Sequence, residues 1–287
     1  MMSEDLMKQA DEALQRGDRR AARALLEKVL SADADNIEAL HLLSTFDIDE
    51  GMAGLAQEKI ARVLAIEPAH APAIYNQGVC LMMRGDQAPA LEAFRKAVQI
   101  DPRHSGALYN IGYILRAQGN VDEALKVFAA LVRLNPGWLS ARDAYCDTLL
   151  LQGQALEVLT ICDEPIEQGK ATATTFRLRG DALRQLGRQG EAEEEYKRSL
   201  QLDTANADTL HAFGSLLQEM GRFEDAVLVF ERETLVAGVD PRFTDRFDQA
   251  LAQIIRSNRS VCQWKNLSYY EEQALKLAVA RTHRIVH

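Results

Sequence analysis

At 287 residues the chain is long enough for one extended domain or two ordinary ones. With 47% apolar and 26% charged residues it has the composition of a folded globular protein, which excludes fibrous and low-complexity classes. A formal net charge of −9 opposes a phosphate backbone, so nucleic acid is not an expected partner.

The N-terminal segment, MMSEDLMKQADEALQRG, is acidic and amphipathic. It lacks the basic and apolar regions of a signal peptide and reads as a first helix. No apolar run in the chain approaches the length of a membrane span, so a cytoplasmic protein without membrane insertion is expected. Cys80, Cys146, Cys162 and Cys262 show neither CxxC pairing nor Cys/His metal spacing. They read as free, mostly buried thiols, and no metal or other cofactor is expected.

From that first helix onward one period governs the sequence. Gly17, Gly51, Gly85, Gly119, Gly153, Gly187 and Gly221 follow one another at intervals of 34 residues, without insertion or deletion. Each glycine suits a tight turn between two helices, where a Cβ would be resisted. Five residues beyond each stands Ala22, Ala56, Ala90, Ala124, Val158, Ala192 or Ala226, small enough for two helices to cross closely. Four further come Leu26, Ile60, Phe94, Phe128, Cys162, Tyr196 and Phe230, mostly large knobs. Seven before each glycine are Ala10, Ser44, Gly78, Gly112, Cys146, Gly180 and Gly214, again small. Pro68, Pro102 and Pro136 close three of the units. Between these marks apolar residues recur at helical intervals, as in Leu108, Ile111, Leu115 and then Ala124, Val127, Phe128, Leu131. Two such helices cannot bury their faces alone, but stacked pairs can.

The segments LYNIGYILRAQGNVDEALKVFAALVRLNP and IYNQGVCLMMRGDQAPALEAFRKAVQIDP resemble the tetratricopeptide repeat, which has the same 34-residue period. The resemblance implies an all-α fold, a right-handed α-solenoid of seven helix hairpins. Their expected bounds are 3–36, 37–70, 71–104, 105–138, 139–172, 173–206 and 207–240, followed by C-terminal capping helices over 241–287. The fifth unit departs most, with Val158 and Cys162 at two ruler positions and Pro165 in its second helix. Proline there removes a hydrogen bond and is expected to kink or shorten the helix. After Asp240-Pro241, an N-cap pattern, Phe247, Ala250, Leu251, Ile254 and Ile255 form a helical stripe. Ser268-Tyr269-Tyr270-Glu271 opens a final predicted helix. The 241–287 segment holds eight Lys/Arg against four Asp/Glu, a net +4 beside −13 for the remainder, and reads as a solvated face.

No P-loop, GxGxxG, GxSxG or HExxH motif occurs, and no nucleophile, base and orienter fall together, so no enzymatic activity and no catalytic residues are expected. His70 and His104 share a ruler position at the unit boundary and read as surface loop residues.

The resemblance places positions 2, 5, 6, 9, 12 and 13 of each first helix on a concave, peptide-binding groove. The third unit contributes Tyr75, Asn76, Val79, Met82 and Met83, and the fourth Tyr109, Asn110, Tyr113 and Arg116. Arg177, Asp181 and Arg184 come from the sixth, and His211, Ser215 and Gln218 from the seventh. Asn76 and Asn110 suggest a short ladder able to pair with an extended peptide backbone. Tyr75, Tyr109 and Tyr113 offer rigid contact area, and Met82 and Met83 offer adaptable area. The carboxylate-gripping Lys/Asn/Arg set of chaperone-adaptor relatives is not assembled, since His41, Thr45, Asn76, Gly106 and Asn110 stand in its place. The expected partner is a protein or peptide segment, with self-association through the terminal helices as a further expectation. Cys262, Trp264 and Leu267 resemble the linker after the repeats of O-linked N-acetylglucosamine transferase-like enzymes. That resemblance implies an alternative role, the non-catalytic arm of such an enzyme.

Overall fold

A computed structural model of the chain describes residues 2–239 and 252–256. Among the described residues there is no strand, and every long element is a helix. Helices pair in chain order: α1 and α2 (Met2–Gln15, Arg19–Ala32), α3 and α4 (Ile37–Asp49, Ala53–Ile66), α5 and α6 (Ala71–Met83, Gln87–Ile100), α7 and α8 (Ser105–Ala117, Val121–Leu134). They continue with α9 and α10 (Leu139–Leu151, Ala155–Glu167), α11 and α12 (Ala173–Gln185, Gln189–Leu202), α13 and α14 (Ala207–Glu219, Phe223–Val239). A further helical stretch covers 252–256. The chain divides into two compact units, 1–145 and 146–287, with the boundary inside α9.

Each hairpin turn is built by its ruler glycine. All seven have positive φ, from 73° to 84°. In the second hairpin Met52 N–H donates to Asp47 C=O and Gly51 N–H to Ile48 C=O, the paired bonds of a Schellman turn. The same two-bond pattern recurs at Asp86 and Gly85, and at Asn120 and Gly119.

In four hairpins the knob packs on the glycine of the facing helix. Phe94, Phe128, Tyr196 and Phe230 are fully buried. A Cβ added to Gly78, Gly112, Gly180 or Gly214 would lie 2.5–2.7 Å from the facing ring. Where the knob is Leu26, Ile60 or Cys162, the facing residue is Ala10, Ser44 or Cys146. Ring size and glycine thus go together. In unit 1 one apolar cluster gathers Ala10, Leu26 and Phe46, a second Leu40, Ile60 and Cys80, and a third runs from Ile74 through Phe94, Ile111 and Phe128 to Ala144; in unit 2 a cluster holds Leu183, Tyr196, Phe213, Phe230 and Ile254. Burying each such large apolar side chain contributes roughly 1.5–3 kcal/mol.

Two departures from the ruler are visible. Asp47, where later units carry Leu81 and Leu115, is fully buried and bridges Arg23 Nη1 at 2.9 Å and Lys59 Nζ at 2.7 Å. Helix α10 runs through Pro165 to Glu167 and is 13 residues long, against 14 for α8 and α12. The expected interruption is therefore small. Pro165 is buried three residues before the Gln168 C-cap, and the carbonyls of Pro165 and Ile166 are taken by Lys170 and Gly169 in a turn with Gly169 at φ 66°.

Cys80, Cys146 and Cys162 are all buried. Cys262, Trp264 and Leu267, the stripe residues Phe247, Ala250 and Leu251, and the capping-box segment from Ser268 lie outside the described residues.

Candidate functional site

The candidate residues on the first helices of unit 1 differ in exposure and in the contacts they make. Met83 and Tyr113 are 44% and 45% exposed. Met82 and Val79 are half-buried against the core beneath them. The Arg116 guanidinium stands 5.8 Å from the Tyr113 ring and 6.0 Å from that of Phe128, close enough for cation–π attraction.

The two asparagines are held by the fold. Asn76 is only 4% exposed, and its amide donates to Ser44 Oγ at 3.2 Å and Thr45 Oγ1 at 3.0 Å, both on α3. With both amide hydrogens directed into the preceding hairpin, Asn76 cannot donate to a peptide backbone without breaking those bonds. Asn110, half-buried, hydrogen-bonds the Tyr75 side chain of α5. The ladder is thus a set of ties between successive hairpins. Burial raises the Tyr75 phenol above its ordinary range, and the Asn110 bond opposes that shift.

A row of ring pairs runs beside these residues. His41 meets His70 at 5.3 Å between centroids, Tyr75 meets His104 at 4.6 Å, and Tyr109 stacks on Trp138 at 5.2 Å. The first members sit on the ruler at 41, 75 and 109, and the second at 70, 104 and 138. His70 and His104 are not loose loop residues. Each is a helix N-cap whose Nδ1 accepts a backbone N–H, from Ala73 at 3.1 Å and Ala107 at 3.2 Å. Beside Trp138 a shallow hollow of about 500 Å³ is lined by Ser105, Leu134, Asn135, Pro136 and Gly137.

In unit 2 the candidate charges are paired with one another. Arg177 donates to Asp181 at 2.7 Å and to Asp147 at 3.2 Å. Asp181 also accepts from the buried Tyr196 hydroxyl at 2.6 Å. Burial pushes the Asp181 carboxyl up, against the opposing pull of Arg177, and burial also raises the Tyr196 phenol. Arg184 forks onto both carboxylate oxygens of Glu219. His211 faces the fully buried Glu233 at 3.2 Å, while Ser215 and Gln218 are half-buried. Sequence reading picked out Arg177 and Asp181 as groove residues; their i, i+4 spacing carried the signal that they would pair with each other.

Among the described residues no group of His, Cys, Asp or Glu is arranged to hold a metal, and no helix is long and apolar enough to cross a membrane.

Family models of the tetratricopeptide repeat match residues 71–104, 88–137 and 178–206. No curated protein matches the chain significantly. Similar solved structures include a tetratricopeptide repeat protein from Parabacteroides merdae, 17% identical, covering 87% of this chain and 99% of that one, with a TM-score of 0.65. PilW, a widely conserved type IV pilus biogenesis factor, is 23% identical over 73% of this chain and 97% of its own, with a TM-score of 0.61. YrrB, a repeat protein with an unusual peptide-binding site, is 19% identical over 65% and 96%, with a TM-score of 0.55. At these identities the likeness is one of fold.

Proposed function

We propose that this chain, built of tetratricopeptide repeats, is a protein-interaction scaffold that holds a peptide or protein segment on the first-helix face of unit 1. The observation that carries the reading is the exposure of Tyr113 and Met83 on that face, with Arg116 beside the Tyr113 ring. Contiguous exposed apolar area marks interaction sites on soluble proteins, and Tyr and Arg are enriched among the residues that carry binding energy. Tyr75, Met82, Tyr109 and Asn110 border the same contact area. Asn76 acts from below, holding α5 on α3.

Unit 2 has a different character. The pairing of Arg177, Asp181 and Arg184 within the unit supports a structural role for these side chains ahead of ligand capture. The Cys262-x-Trp264 pattern alone supports a second reading, the non-catalytic arm of an O-linked N-acetylglucosamine transferase-like enzyme. A sugar-nucleotide-binding domain encoded in the same gene would favour that reading.

The test is selection of binders from a displayed random-peptide library against the full chain, followed by titration against a Met83→Ala/Tyr113→Ala variant. The proposal expects at least a ten-fold weaker Kd in the variant. Equal affinity would place the binding surface elsewhere.

A further inference from the structure

Six first helices have start positions on one ruler: Asn36, His70, His104, Trp138, Thr172 and Asn206. Asn36, Thr172 and Asn206 cap their helices with side-chain oxygens, which keep their acceptor character at any ordinary pH. His70 and His104 do the same work with an imidazole nitrogen. That bond requires a neutral ring with its proton on Nε2, leaving the Nδ1 lone pair to accept. A second proton would turn Nδ1 into a donor facing a donor. It would also place positive charge at the positive end of the helix dipole.

The two capping rings are tied to the candidate binding face. The His104 ring packs against Tyr75 at a tilt of 35°, and His70 lies against His41, whose Nδ1 is 3.5 Å from the amide nitrogen of the buried Asn76. We propose that His41, His70 and His104 form an acid-sensitive latch in unit 1. When neutral they hold the starts of α5 and α7 in place beneath Tyr75 and Asn76, and when protonated they release them. The mechanism stands on the chain alone; its consequence, weaker partner binding in acid, rests on the binding face proposed above.

The charged surroundings favour this behaviour. The titratable groups against the three rings are the other two imidazoles and, from α5, the Tyr75 phenol. Among the described residues no carboxylate pairs directly with any of the three; Asp49 of α3, which acts on the Tyr75 phenol, is itself bound by Arg19. From α2, Arg23 is bound to Asp47 and Glu50, and from α4, Lys59 is bound to Asp47. From α6, Arg95 is bound to Glu123. Asp101, just ahead of His104, accepts from the Arg103 backbone N–H. Burial, with the nearby His70 and His104, holds His41 well below an ordinary imidazole, at about 4.

Hydrogen exchange of the full chain tests the latch, with rates corrected for intrinsic pH dependence. Protection is followed at the starts of α5 and α7, where Ala73 and Ala107 bond the rings, and at the starts of α3 and α13, capped by Asn36 and Asn206. Between pH 7.5 and pH 5 the wild type is expected to lose about five-fold or more of its protection at α5 and α7, the loss of a cap, while α3 and α13 hold. In His70→Asn/His104→Asn, which restores the residue used at 36 and 206, all four starts should behave alike. Equal losses at all four starts in the wild type would overturn the proposal, and so would a variant as acid-sensitive as the wild type. The comparison within the wild type decides the matter even if the variant folds poorly.

Discussion

The Phe128 ring occupies the space that a Cβ on Gly112 would need, with ring carbons 2.7 Å from that position. The contact explains why ring and glycine share a hairpin, and it separates two kinds of glycine. Gly119, in the turn, has φ 79° and nothing within 4 Å of a Cβ, so it is required by backbone conformation. Gly112 is required by packing. Gly112→Ala is expected to destabilise the chain by about 1–3 kcal/mol through overpacking. Adding Phe128→Leu should restore part of that loss in chemical denaturation. Gly119→Ala should cost about 1 kcal/mol, with no rescue by Phe128→Leu.

Asp47 is fully buried between Arg23 and Lys59, whose side chains remain 25% and 24% exposed. Removing the carboxylate leaves two partly desolvated cations facing each other. Asp47→Ala is expected to cost about 2–3 kcal/mol, below the range for a wholly buried pair because both cations reach solvent. A denaturation midpoint equal to that of the wild type would show the pair contributes nothing.

Tyr196 takes the place that Phe94, Phe128 and Phe230 fill in other hairpins, so Tyr196→Phe should fit without strain. It removes the 2.6 Å bond to Asp181 that helps to hold Arg177. The expected cost is about 1–2 kcal/mol, read as a lower midpoint with an unchanged m-value.

His41 gives the chain a defined acid response. Its folded-state pKa, about 4, lies below the ordinary 6.5, so between these values the unfolded chain binds the extra proton. The stability it contributes is fully present above pH 6.5 and is lost as the pH falls toward 4. For a ring that keeps partial solvent access the span is about 1–2 kcal/mol. His41→Gln should flatten the stability-versus-pH curve in that window and leave it unchanged above pH 7.

The hairpins were legible because one physical demand, a positive-φ turn every 34 residues, falls on one residue type, and Gly17 through Gly221 display it. The close helix crossings at Ala22 and its equivalents were legible in the same way, through small size alone. Asn76 was harder to read. Its place on a first helix was visible, but its burial depends on the Ser44 and Thr45 hydroxyls of another hairpin, and spacing along the chain does not say where those point. Pro165 misled in degree, since so near the helix end its missing N–H disturbs little that the Gly169 turn does not satisfy. The ring row carried a usable signal, with 41, 75 and 109 set against 70, 104 and 138, but only when both ruler positions are considered as neighbours in space.

The most direct test of the binding face proposed for unit 1 is the affinity of a library-selected peptide for the full chain with and without the Tyr113 and Met83 side chains. Binding there predicts at least a ten-fold rise in Kd for Met83→Ala/Tyr113→Ala, and no comparable change for Arg184→Ala in unit 2. A peptide that binds the double variant as tightly as the wild type, yet is lost on Arg184→Ala, would contradict it.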